Sequence, residues 1–116
     1  MKTEKTFDLE ERTAKFAENI IKLCGRIKLT TLNDNIVKQL IRSSTSIGAN
    51  YCEASESTTK KDFKHKISIA KKEAKETMYW LRIFSSVEVS IKDEIREHWK
   101  EARELVLIFA ASIRNC

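Results

Sequence analysis

Proline is absent from the 116 residues, and glycine occurs only at Gly25 and Gly48. Strands joined by tight turns need more of both breakers, so a β-rich fold is excluded. No apolar run reaches the roughly 18 residues of a membrane span. The opening stretch, residues 1–13, lacks the apolar core of a secretory signal. The expected setting is the cytoplasm, with no membrane partner. Cys24, Cys52 and Cys116 are an odd, widely spaced set without a Cys-x-x-Cys pair, which fits a reducing compartment. Cys24 and Cys52 are expected to pack in the core and Cys116 to lie exposed.

Histidine is nearly as scarce, and that limits the chemistry. A di-iron site in a helical bundle needs two carboxylate-x-x-His pairs. Asp62-x-x-His65 is one such spacing, but Ile95 stands three residues before His98. One chain cannot complete the site, so neither a metal nor another cofactor is expected. No glycine-rich phosphate loop is present, and histidines on separate outer faces give the many serines no base. The expectation is a protein without catalytic residues, not an enzyme.

What is abundant is charge, at 34%, beside 41% hydrophobic residues. This is the composition of an all-α protein, and the length suits one domain over 1–116. Apolar residues at three- and four-residue spacing predict helices at about 8–26, 33–56, 59–86 and 90–114. Asp8 is placed to cap the first and Ser90 the fourth, where Asp93 would complete an approximate capping box. Leu9, Phe16, Ile20, Leu23 and Ile27 form the first seam, with Thr13 in its gap. The second runs through Val37, Leu40, Ser44, Ile47, Tyr51 and Ala54, and the third from Phe63 and Ile67 to Leu81 and Phe84. In the fourth, Trp99, Val106 and Ala110 widen the apolar arc beside Ile95, Leu105 and Phe109, and the last turns are expected to be buried. Short connections make sequence neighbours antiparallel, an up-down-up-down four-helix bundle.

Two features stand out against this frame. Residues 40–54 are rich in Ser, Thr, Gly and Ala, which lets backbones approach closely at the bundle centre. Gly48 costs roughly 1 kcal/mol there relative to Ala, so packing should compensate. The second feature is electrostatic. Residues 57–86 hold 8 basic and 3 acidic groups, an excess of +5 that equals the net charge of the chain. On the third helix Lys60, Lys64, Lys71, Lys75 and Arg82 fall within about 60° of one another. Such a stripe faces either solvent or successive phosphates. No aromatic is interleaved among these cations, so stacking on bases is not expected. Almost opposite, Ile69, Trp80 and Ile83 line up with Glu76, a half-apolar face suited to another subunit. Arg42, beside Ser43 and Ser44, either contacts phosphate or pairs with Glu53 or Glu76. Asn50 and Glu53 suggest a polar network with it, inside or between bundles.

Arg42-Ser43-Ser44, the small-residue run to Asn50, Glu53-Ala54, Asp62-Phe63, Ile69-Ala70, Glu76 and Leu81 together resemble a known family. It comprises the bacterial four-helix-bundle proteins encoded by intervening sequences in 23S rRNA genes, which the accessory proteins of diversity-generating retroelements resemble in turn. The likeness spans 7–113 and is densest over 39–81. Ala54 and Lys72 stand where many members have Gly, the mark of a subgroup. The resemblance implies a homopentameric, barrel-like ring and nucleic-acid binding, and for the retroelement relatives a place beside a reverse transcriptase. It carries over no catalytic residue. Two functions follow: electrostatic binding of RNA or DNA through the basic stripe, or a protein-interaction scaffold without nucleic acid.

Overall fold

The apolar seams fold as helices in the computed structural model, which describes the backbone of residues 2–116 and side chains from Leu9 onward. Four helices follow in order: α1 (Lys2–Gly25), α2 (Asp34–Ser55), α3 (Lys60–Val87) and α4 (Lys92–Arg114). The described residues contain no strand. α3 sets the long dimension: 28 residues at about 1.5 Å each give roughly 42 Å, close to the 44 Å length of a molecule 23 by 20 Å across.

Local chemistry explains most of the boundaries. The Thr59 hydroxyl accepts a hydrogen bond from the Asp62 N–H at 3.1 Å and caps α3. α1 begins well upstream of Asp8, so Asp8 is not its cap; that side chain lies outside the described residues. Ser90 does not cap α4 either. It lies within a short 3₁₀ turn, Val89–Ile91, where Ile91 N–H bonds Glu88 O, and no side chain caps the following helix. Asn33, just before α2, turns into its own loop. Its side chain accepts from Thr30 N–H at 2.8 Å and donates to Lys28 O and to Glu88 Oε2, both at 3.0 Å. One amide thereby ties the α1–α2 loop to the α3–α4 turn.

The core takes the predicted seams almost entirely. Ile20, Leu40, Ile47, Ile67, Leu81, Phe84, Leu105 and Phe109 are fully enclosed, and Phe63 is the one member of the α3 seam left half-buried. At mid-height the side chains are small. Ser43, Ser44, Ala70, Ala74, Thr77 and Ala102 are all buried. Thr77 Oγ1 lies 2.8 Å from both Ser43 Oγ and Glu73 O, and Ser44 Oγ donates to Ile41 O at 3.4 Å, so the hydroxyls of this layer are satisfied. Gly48 answers to α1: a Cβ there would stand 3.0 Å from Thr13 Oγ1 and 3.2 Å from Thr13 Cβ. Adjacent helices pack most extensively at α2–α3 and α3–α4, while α1 rests chiefly on α2 and meets α4 at few points among the described residues.

Two burial expectations are corrected. Cys24 is buried, and burial pushes its thiol up to about 11, but Cys52 is exposed. It follows Tyr51 by one residue, a 100° step off the seam. The last turns of α4 are only half-buried, and Leu107 is 51% exposed.

Candidate nucleic-acid interface

Lys60, Lys64, Lys75 and Arg82 are exposed along α3 and Lys71 is half-buried. Among the described residues, no carboxylate pairs with any of the five. The reason lies on the opposite flank of the same helix. Glu73 and Glu76, two of the three α3 acids, turn towards α2, where both receive Arg42; Nη1 meets Glu73 Oε1 at 3.1 Å and Nη2 meets Glu76 Oε2. With the acids engaged on one side, the other keeps its full positive charge.

α4 adds to that side. Arg82 and Ser85 of α3 face Lys92, Asp93, Arg96 and Trp99 of α4 across an open groove of about 540 Å³ floored by Leu81 and Ile95. Lys92 and Arg96 are exposed and also lack a carboxylate partner among the described residues. Arg103, exposed one turn beyond Trp99 and two beyond Arg96, shares their helix flank. The basic surface is thus two-sided. A reading of α3 alone misses its second half, although the spacing of Lys92, Arg96 and Arg103 was a visible signal. No aromatic is interleaved among the five α3 cations, but Trp99 of the neighbouring helix lines the groove beside Arg82, where no pattern within α3 could show it.

The fold and the sequence converge on one family. The 23S rRNA-intervening sequence protein family matches residues 5–111. The chain belongs to it. A solved structure from Bacteroides thetaiotaomicron, a protein of unknown function from the S23 ribosomal protein family, is 30% identical to this chain. It aligns over 95% of this chain and 98% of its own length, with a TM-score of 0.81. No protein among those with curated descriptions matches.

In this 23S rRNA-intervening sequence protein, the face set for a subunit is partly used within the chain. Ile69, Trp80 and Ile83 are half-buried, and Trp80 and Ile83 pack against the chain's own core. The Trp80 indole N–H donates to Glu76 Oε2 at 3.2 Å, and Tyr79 sets its ring edge-on at 5.2 Å. Arg42, Asn50 and Glu53 form no common network. Arg42 holds Glu73 and Glu76, Glu53 accepts from Lys66 Nζ at 2.5 Å, and Asn50 donates to its own helix at Ser46 O. Burial draws the Arg42 guanidinium's pKa down, but hydrogen bonds to Glu76 and Glu73 outweigh it and leave the pKa raised. Among the described residues, no three His, Cys, Asp or Glu side chains gather in a way that could hold a metal ion. No helix among the described residues is long and apolar enough to cross a membrane.

Proposed function

We propose that this chain is a non-enzymatic cytoplasmic protein that assembles into a homopentameric ring and binds RNA or DNA through its basic α3 face. One observation carries the reading: five cations share one helix flank and, among the described residues, none is neutralised by a carboxylate. Lysines one and two turns apart meet successive phosphates, each contact releasing counterions, so affinity comes without sequence readout. In a ring, five copies of a +5 chain would carry about +25. The names of the family and of the solved neighbour, both ribosomal, favour RNA. An up-down-up-down order of helices is part of this proposal. Arg42 with Glu73 and Glu76, and Glu53 with Lys66, support it for α2 and α3; Arg12 with Glu101, and Arg26 with Glu94, support it for α1 and α4. The half-exposed remainder of Ile69, Trp80 and Ile83, with Tyr79 beside it, is the proposed ring contact.

The test is fluorescence anisotropy of a labelled structured RNA and a matched duplex DNA from about 50 to 300 mM salt, with the assembly mass read by light scattering in the same buffers. A pentamer whose affinity falls steeply on a log–log salt plot is expected. Replacing Lys64, Lys71 and Lys75 together by Glu should abolish binding and leave helicity unchanged; retained binding would remove the stripe from the account.

A second reading, a scaffold that docks another protein such as a reverse transcriptase, is favoured by the bundle end that Asn33 and Glu88 clasp. Leu29, Leu32 and Val89, on its two connections, are 56%, 74% and 59% exposed. Apolar docking there would depend only weakly on salt.

A further inference from the structure

We propose that the α3–α4 groove takes a single unpaired nucleotide, its base stacked on Trp99 and its phosphate held by Arg82, Lys92 and Arg96. This deepens the nucleic-acid reading above and rests on it.

Three grooves run between the helices, and their charges separate them. The α1–α4 groove holds Arg12, but Glu101 grips that guanidinium through two bonds, at 2.7 and 2.9 Å, and Glu11 and Glu97 line the same cleft. The groove around Tyr51, Phe63 and Ser112 has Arg12 as its only cation among the described residues. The α3–α4 groove combines three cations with one carboxylate, Asp93, and no ion pair among the described residues joins them. It therefore keeps a net charge of +2, and its volume falls in the range of about 300–1,000 Å³ typical of small-ligand sites. No side chain caps α4, so the positive end of that helix's dipole adds to the field at the groove mouth.

The two tryptophans show why the base would choose Trp99. Trp80 has given its N–H to Glu76 and its ring edge to Tyr79. Trp99 also packs against the core, but it is half-buried and lines the groove, and among the described residues its indole N–H has no hydrogen-bond partner and its ring no aromatic neighbour. An apolar floor, the part of the Trp99 ring left outside the core, and three cations unpaired among the described residues match a nucleotide's base and phosphate. Asp93 supplies the one anionic acceptor, suited to a sugar hydroxyl or an exocyclic amine. A continuous duplex, with every base paired, offers no base to this groove.

Anisotropy with two RNA hairpins decides the matter, one carrying a single bulged adenosine and one fully paired. An AMP titration of Trp99 fluorescence, in a Trp80→Phe background, reads the groove alone. The bulged hairpin should bind about tenfold tighter, the order that stacking one base on an aromatic contributes. Trp99→Leu should erase that advantage, and so should Arg82→Ala with Arg96→Ala, two exposed sites whose replacement leaves the fold intact. Equal, salt-sensitive binding of both hairpins would overturn the groove proposal and leave the electrostatic reading standing. AMP quenching without hairpin binding would support the groove as a site for free nucleotide and sink the stripe. Neither quenching nor hairpin binding would end both.

Discussion

Gly48 is the residue that best shows how a sequence signal becomes a contact. Its place in a run of small side chains announced a close helix approach, but only the structure shows that α1 is the partner and Thr13 the point of contact. Alanine at 48 would gain about 1 kcal/mol of helix propensity. Overpacking against a β-branched Thr13, whose χ1 has little freedom, typically costs about 1–3 kcal/mol. Gly48→Ala should therefore lower stability by about 1 kcal/mol in urea unfolding. Thr13→Ala in the same chain should recover part of the loss, because Oγ1 is the nearest atom. A stabilised Gly48→Ala variant would show that α1 can retreat freely. At this scale the sequence is readable where one residue's own freedom decides the outcome, and less so where a neighbour decides. Asn33 illustrates the second case: it has the type of a helix cap, yet its amide is spent on two loops.

At the scale of the helix, periodicity located every core seam because burial repeats with the helical turn. It also assigned the basic stripe to one flank of α3. It could not say which neighbour covers which flank, since a single helix carries no information about where α2 and α4 pack. For that reason Trp80 read as an outward residue, whereas it packs partly on the chain's own core; Trp99 read as part of the apolar arc and does pack there, but it also lines the basic groove. His98, on the α1–α4 flank, follows the same rule. It read as an outer-face residue and is half-buried. Burial is the main cause of its lowered pKa; Glu94 and Glu97 pull it up and Arg26 pushes it down. Glu11, Arg12, Lys15 and Glu101 line the same cleft. A histidine held below its unfolded pKa favours the neutral form on folding, so the unfolded chain binds the extra proton. The stability it contributes is complete above about pH 6.5 and declines as the pH falls towards the folded value. Urea midpoints should fall between about pH 7.5 and 5.5, and His98→Gln should flatten that slope. An unchanged slope would assign the acid sensitivity to the carboxylates.

For the whole molecule, length, composition and helix count were legible, and the number of chains in an assembly was not. A seam records that helices pack, and the same seam serves one chain or five. The contact pattern within one chain carries its own consequence. α2, α3 and α4 form a continuous slab through the two extensive interfaces, while α1 lies on one edge of it and, among the described residues, meets α4 at few points, with Arg12–Glu101 and, just past its end, Arg26–Glu94 bridging the two. The first pair is half-buried and the second exposed, and such pairs add little to the burial of Phe16, Ile20 and Leu23 that seats α1 in the core. Among the described residues α1 is still the least extensively packed of the four helices, a latch on a three-helix plate. Its backbone amides should take up deuterium from solvent before those of α2, α3 and α4, in a separate opening that leaves the basic groove between α3 and α4 closed.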